Sequence, residues 1–111
     1  SYGAQVEMHH YEPLFKDMRQ DKQLLNLFKD VMTEFGESPR ILPDDEADGS
    51  TDVGNVSYEV PTAQPTLQIG LGLEAHTPEF TCAAGSDYGL DQAIKGAKIM
   101  AVVALRYAMC K

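Results

Sequence analysis

The sequence predicts an α/β fold. Three observations carry the prediction: apolar and polar residues alternate over residues 4–10, a short apolar run closes in glycines at Leu67-Gln68-Ile69-Gly70-Leu71-Gly72, and helical periodicity fills the stretches between and after them. The expected order is strand, helix, short helix, core strand and long C-terminal helix.

In residues 4–10, Ala-Gln-Val-Glu-Met-His-His, Val6 and Met8 would face one side and Gln5, Glu7 and His9 the other. His9 and His10 invite a metal reading. Neighbouring strand residues point to opposite faces, so the plainer reading is a pair of strand-end histidines. Pro13 stops the strand, and residues 11–16 read as a hinge or connector.

Leu24, Leu27, Phe28, Val31 and Phe35 then fall on one apolar face of a helix over residues 21–35. Asp21 is its candidate N-cap, and Gly36 stands where a left-handed residue is wanted. Ser50 is positioned to cap a short helix reaching Ser57, with Asp52 in its first turn. The glycines of the 67–72 run suggest close approach by a neighbouring backbone or a ligand. His76 would lie in a loop just beyond that strand, where open α/β sheets bind ligands.

Ser86-Asp87 opens the last helix. Leu90, Ala93, Ile94, Ala97, Met100 or Ala101, Ala104 and Ala108 are its expected buried stripe. Ile99, Val102, Val103 and Tyr107 widen the apolar surface beyond one stripe. A helix this apolar expects cover on most sides, and 111 residues supply few partners, which hints at a part of something larger.

A chain of 111 residues holds one domain at most, and 43% hydrophobic residues suit a soluble globular protein. The formal charge of −8, from 17 acidic and 9 basic residues, argues against nucleic acid and anionic membranes as partners. No apolar run approaches the ~18–20 residues of a membrane helix, and no secretory signal is visible. The first residue is Ser rather than Met, which suits a processed product or an excised piece. Cys82 and Cys110 lack metal-ligand or redox spacing and read as reduced thiols of a cytoplasmic protein.

Two stretches attract a chemical reading. The first is Gly49-Ser50-Thr51-Asp52-Val53-Gly54-Asn55-Val56-Ser57, in which two glycines bracket hydroxyls and a carboxylate. Just before it, Asp44-Asp45-Glu46-Ala47-Asp48 reads as a solvated acidic loop. A calcium loop is the alternative: Asp44, Glu46, Asp48 and Gly49 match positions 1, 3, 5 and 6 of an EF-hand. That match then fails, because position 12 is Asn55 where a bidentate Glu is required. The second stretch is Ala75-His76-Thr77-Pro78-Glu79-Phe80. A lone loop histidine is more often incidental than a ligand, and a catalytic zinc needs about three protein ligands. Neither H-E-x-x-H nor G-x-S-x-G occurs.

Taken together, Gly-Ser-Thr-Asp-Val-Gly-Asn-Val-Ser-Tyr-Glu-Val-Pro-Thr (49–62), Leu-Gln-Ile-Gly (67–70), Ala-His-Thr-Pro-Glu-Phe (75–80) and Ala-Ala-Gly-Ser (83–86) closely resemble one family. It is the zinc-dependent amidohydrolase and aminoacylase family of metallopeptidases, in its aminobenzoyl-glutamate hydrolase and Xaa-Arg dipeptidase branch. The resemblance is to the C-terminal part of such enzymes and runs over nearly the whole chain.

The resemblance implies a zinc-exopeptidase-like catalytic domain interrupted by a lid domain that also dimerises. Residues 1–16 would end the lid and form the hinge, and residues 17–111 would be the last catalytic segment. His76 would match the family's last metal ligand, in a centre of two divalent ions, zinc with manganese or cobalt as alternatives. Gly49, Ser50, Thr51 and Asp52 would line the substrate pocket and hold a carboxylate on backbone N–H groups. An N-acyl amino acid or dipeptide would be the substrate. The family's other metal ligands and its catalytic glutamate lie upstream of the lid, and none of those motifs is present here. The chain alone is therefore expected to be inactive. A non-catalytic interaction module is the competing reading.

Overall fold

The computed structural model describes residues 2–43, 46 and 49–110. Among them are four helices, α1 (Lys22–Glu34), α2 (Val53–Val56), α3 (Pro78–Ala84) and α4 (Asp87–Met109). No described residue lies in a strand. The fold is all-helical, and the expected α/β class, with its lid strand and core strand, is overturned.

The physical reason lies in the backbone accounting. A strand is held by a neighbour that takes its N–H and C=O groups. Residues 4–10 and 67–72 have no such neighbour among the described residues. Val6 and Met8 remain 84% and 90% exposed, so their alternation covers no surface. Residues 67–72 are instead held from the side by α4. The Gln68 carbonyl accepts from Gln92 Nε2 at 2.9 Å, and Leu67 Cδ1 lies 3.2 Å from where a Cβ on Gly96 would stand.

α1 forms as its sequence indicates. Asp21 caps it, accepting from the Leu24 N–H at 2.8 Å, and Gly36 beyond its end has φ 85°. Its apolar face meets α4 in a core of Val31, Met32, Ile99 and Val103, with Leu24, Leu27, Phe28, Phe35, Leu67 and Val102 packed around it. Two ion pairs fasten this contact at its edges: Arg106 grips Glu34 through two 2.8 Å bonds, and Lys95 Nζ meets Glu37 at 2.8 Å.

α4 is capped by Ser86, whose Oγ accepts from the Gly89 N–H at 3.0 Å. Its buried side is Gly89, Gln92, Ile99 and Val103. The expected stripe is on the opposite side: Leu90, Ala93, Ile94, Ala97, Met100, Ala101, Ala104 and Ala108 are all exposed. Two constraints choose the face. Gly89 leaves room for the end of α3 to approach, and Gln92 donates to Glu37, just beyond α1, and to the Gln68 carbonyl.

The short helix begins later than expected. Asp52, not Ser50, occupies its N-cap, and α2 is four residues long. α3 stands where a loop was expected, with Thr77 as N-cap and Pro78 at its first position. The N-terminal arm projects from the helices, and the radius of gyration is 18.0 Å against ~13 Å for a compact domain of this length.

Candidate functional site

The loop at residues 49–52 is a short solvent-facing lead into α2. Gly49, Ser50 and Asp52 are exposed and Thr51 is half-buried. The first free amides of α2 are partly used by the loop itself. Thr51 Oγ1 accepts from the Val53 N–H at 3.3 Å and the Thr51 carbonyl from the Gly54 N–H at 3.4 Å. Asp52 makes no side-chain cap, so its carboxylate is left on the surface.

The second half of the same motif has a structural task. Asn55 Oδ1 accepts from the Lys16 N–H at 2.7 Å, while Asn55 Nδ2 donates to the Leu14 carbonyl at 3.1 Å. Ser57 Oγ accepts from the Arg19 N–H at 2.9 Å and donates to the Gly54 carbonyl at 2.5 Å. The Tyr58 hydroxyl donates to Asp17, which pushes the phenol above its ordinary pKa. Its ring lies 3.9 Å from the Arg19 guanidinium carbon and 4.7 Å from Lys16 Nζ. Gly54 is buried because the connector passes directly over it: a Cβ there would overlap the Lys16 carbonyl oxygen.

His76 sits in the turn before α3 with φ 63°, the one described non-glycine residue at positive φ. Histidine tolerates this left-handed region better than most residues, at a cost of about 1–2 kcal/mol. Thr77 fixes the turn from its C-terminal side, donating to the Glu74 carbonyl at 2.7 Å and accepting from the Phe80 N–H at 3.2 Å. The imidazole is exposed.

Among the described residues, no hydrogen bond or ion pair joins His76 to residues 49–52. Among the described residues no group of three or more His, Cys, Asp or Glu side chains is assembled as a metal requires. The donors among the described residues therefore do not by themselves make up a two-metal centre. His9 meets Glu7 at 3.5 Å on the exposed arm, and His10 adds no third donor to them. Asp44, Asp45, Ala47 and Asp48 of the acidic loop lie outside the described residues. Cys82 and Cys110 are free and exposed.

A polar cluster that the sequence did not announce lies against α4. Gln92, 3% exposed, donates to both the Gln68 carbonyl and Glu37 Oε1, the latter at 3.3 Å. The hydrogen bond from Lys95, joined by that from Gln92, holds the Glu37 carboxyl below its ordinary pKa. No spacing rule joins residues 37, 68 and 92, so only the packed structure brings them together.

Comparison with known proteins points to the peptidases. A stretch of 57 residues is 44% identical to a protein described as Xaa-Arg dipeptidase from Homo sapiens, and the same holds for the Xaa-Arg dipeptidase from Mus musculus. That stretch covers 51% of this chain and only 13% of each relative. No family model matches the chain, and no solved structure matches it. The chain is thus similar to a hydrolase over about half its length. No described helix is long and apolar enough to cross a membrane.

Proposed function

We propose that this chain is the C-terminal part of a metal-dependent amidohydrolase or dipeptidase, which hydrolyses an amide bond next to a free carboxylate. The observation that carries the reading is the 44% identity to two Xaa-Arg dipeptidases over 57 residues. The uncovered apolar side of α4 supports it, since such a face suits a segment that packs into a larger protein.

In this reading residues 1–16 end the lid and dimerisation domain, and residues 17–111 belong to the catalytic domain. His76 supplies one ligand to a centre of two divalent ions, zinc or alternatively manganese or cobalt. Such ions, when bound, polarise the substrate carbonyl and activate water. The remaining ligands and the general base come from the remainder of the catalytic domain. Gly49, Ser50, Thr51 and Asp52 line the substrate site for an N-acyl amino acid or dipeptide, with Asp52 orienting neighbours rather than reacting. The complete protein is a cytoplasmic homodimer with no nucleic-acid or membrane partner.

Activity and zinc titration test this on the isolated chain. No hydrolysis of dipeptides or N-acyl amino acids is expected, and zinc binding is expected to be weak and lost in His76→Ala. Hydrolysis at a meaningful rate by the chain alone would refute the placement of the base elsewhere. The second reading, a non-catalytic interaction module, is favoured by the same exposed face of α4. Self-association without metal in sedimentation experiments would support it over the first.

A further inference from the structure

Residues 14–19, which carry the connector on into α1, lie outside any helix, and their amides are not all left to water. Two of them donate to side chains about forty residues further on: Lys16 to Asn55 and Arg19 to Ser57. The Asn55 amide also donates to the Leu14 carbonyl, gripping residues 14–16 at two points, and the Ser57 hydroxyl donates to the Gly54 carbonyl, joining Arg19 to α2. The arrangement continues past Ser57, where Asp21 donates to the Thr62 carbonyl at 2.8 Å and Gln64 to Gln20 Oε1 at 3.1 Å. Tyr58 closes the outer side, bonded to Asp17 and stacked under Arg19. Gly54 brings the two backbones too close for any side chain between them.

We propose that Asn55, Ser57 and Tyr58 are positioning residues that clip the connector onto α2. The pivot between the N-terminal arm and the helices is then confined to residues 11–13. Residues 14–19 move with α2 and with the loop at residues 49–52 that leads into it. An arm that swings cannot pull on the connector without also shifting that loop. The clip stands on hydrogen bonds alone; its bearing on a substrate loop rests on the reading of residues 49–52 proposed above.

Amide hydrogen exchange on the 111-residue chain tests both parts. The Lys16 and Arg19 amides should exchange about tenfold more slowly than those of Phe15 and Met18, which donate no described hydrogen bond, since one lost bond corresponds to roughly that factor. Asn55→Ala should release Lys16 but not Arg19, and Ser57→Ala the reverse. Tyr58→Phe, which keeps the ring and loses the hydroxyl, should speed tryptic cleavage after Arg19 relative to cleavage after Arg40. Equal exchange at residues 15, 16, 18 and 19 in the unaltered chain overturns the clip, whether or not the variants fold. Coupling is read from the amide resonances of Ser50 and Thr51. They should shift in Ser57→Ala, and unmoved resonances alongside a released Arg19 overturn the coupling while leaving the clip intact. Zinc titration reads the functional assignment separately, so its failure is not confused with either result.

Discussion

Gly54→Ala measures how firmly α2 is pressed against the connector. In an ordinary helix interior this exchange gains about 1 kcal/mol, so propensity alone favours the variant. The surroundings oppose it. A Cβ at residue 54 overlaps the Lys16 carbonyl oxygen and lies 3.1 Å from that of Asp17. Both obstacles are backbone, so relief requires α2 and the connector to separate rather than a side chain to turn. Separation stretches the bonds from Asn55 to Lys16 and Leu14, at 2.7 and 3.1 Å, and from Ser57 to Arg19 at 2.9 Å. At about 1 kcal/mol each, their loss exceeds the propensity gain and leaves a net destabilisation of roughly 1–2 kcal/mol. For a chain of this size that lowers Tm by about 4–10 °C. Thermal unfolding followed by circular dichroism gives the value, and amide exchange at Lys16 and Arg19 locates it. A variant that melts at or above the parent temperature with those amides still protected refutes the reasoning.

Gly89→Ala applies the same logic to the α3–α4 junction. The new methyl overlaps the Ala83 carbonyl oxygen and lies 2.9 Å from that of Ala84, so a cost of about 2 kcal/mol is expected in chemical denaturation. His76→Gly should leave thermal stability unchanged or raise it by roughly 0.5 kcal/mol, because glycine relieves the φ of 63° while adding freedom to the unfolded chain. The carboxyls of Glu34 and Glu37 are held low, chiefly by hydrogen bonds from Arg106 and Lys95. Their stabilisation is complete above the ordinary carboxyl value of about 4.3 and is lost as pH falls through the lowered folded values. Denaturation midpoints should therefore drop on acidification below that value, and Glu37→Gln should flatten the drop.

What was legible in the sequence was local. Asp21, Gly36 and Ser86 act as caps because a cap depends on the few residues beside it, and the apolar spacing of α1 was sufficient to find its buried face. α3 carries an equally local signature, Thr77 as N-cap followed by Pro78 at the first helical position. The strands failed because alternation states a face and not a partner. The face of α4 failed for a related reason: hydrophobicity favoured Leu90 and Ile94, whereas Gly89 and Gln92 decided the packing through contacts with residues 83, 68 and 37. In the stretch at residues 49–57 the sequence drew attention to hydroxyls and a carboxylate, and the structural work of Asn55 and Ser57 was not legible there. That Asn55 and Ser57 hold residues 14–19 depends on a separation of about forty residues, which no motif spacing encodes.

The reversed face of α4 also separates the two functional readings. Leu90 and Ile94 are 54% and 56% exposed, and Met100 and Leu105 more so. Complete burial of such a side chain is worth about 1.5–3 kcal/mol, so covering the uncovered halves of these four adds roughly 3–6 kcal/mol. Ile94→Glu tests whether anything does cover them. In the isolated chain a carboxylate at residue 94 faces water and stands four residues before Lys98, an orientation worth about 0.2–0.5 kcal/mol. Thermal stability of the chain should therefore hold or rise slightly. In a longer protein that buries this face, the same carboxylate is desolvated without a partner, at a cost on the order of 3–5 kcal/mol. The expected pattern is a harmless substitution in the chain and a severe loss of folded yield in the longer protein. A substitution harmless in both leaves the face uncovered and favours the interaction module, while one that unfolds the isolated chain shows that this face is used within the 111 residues after all.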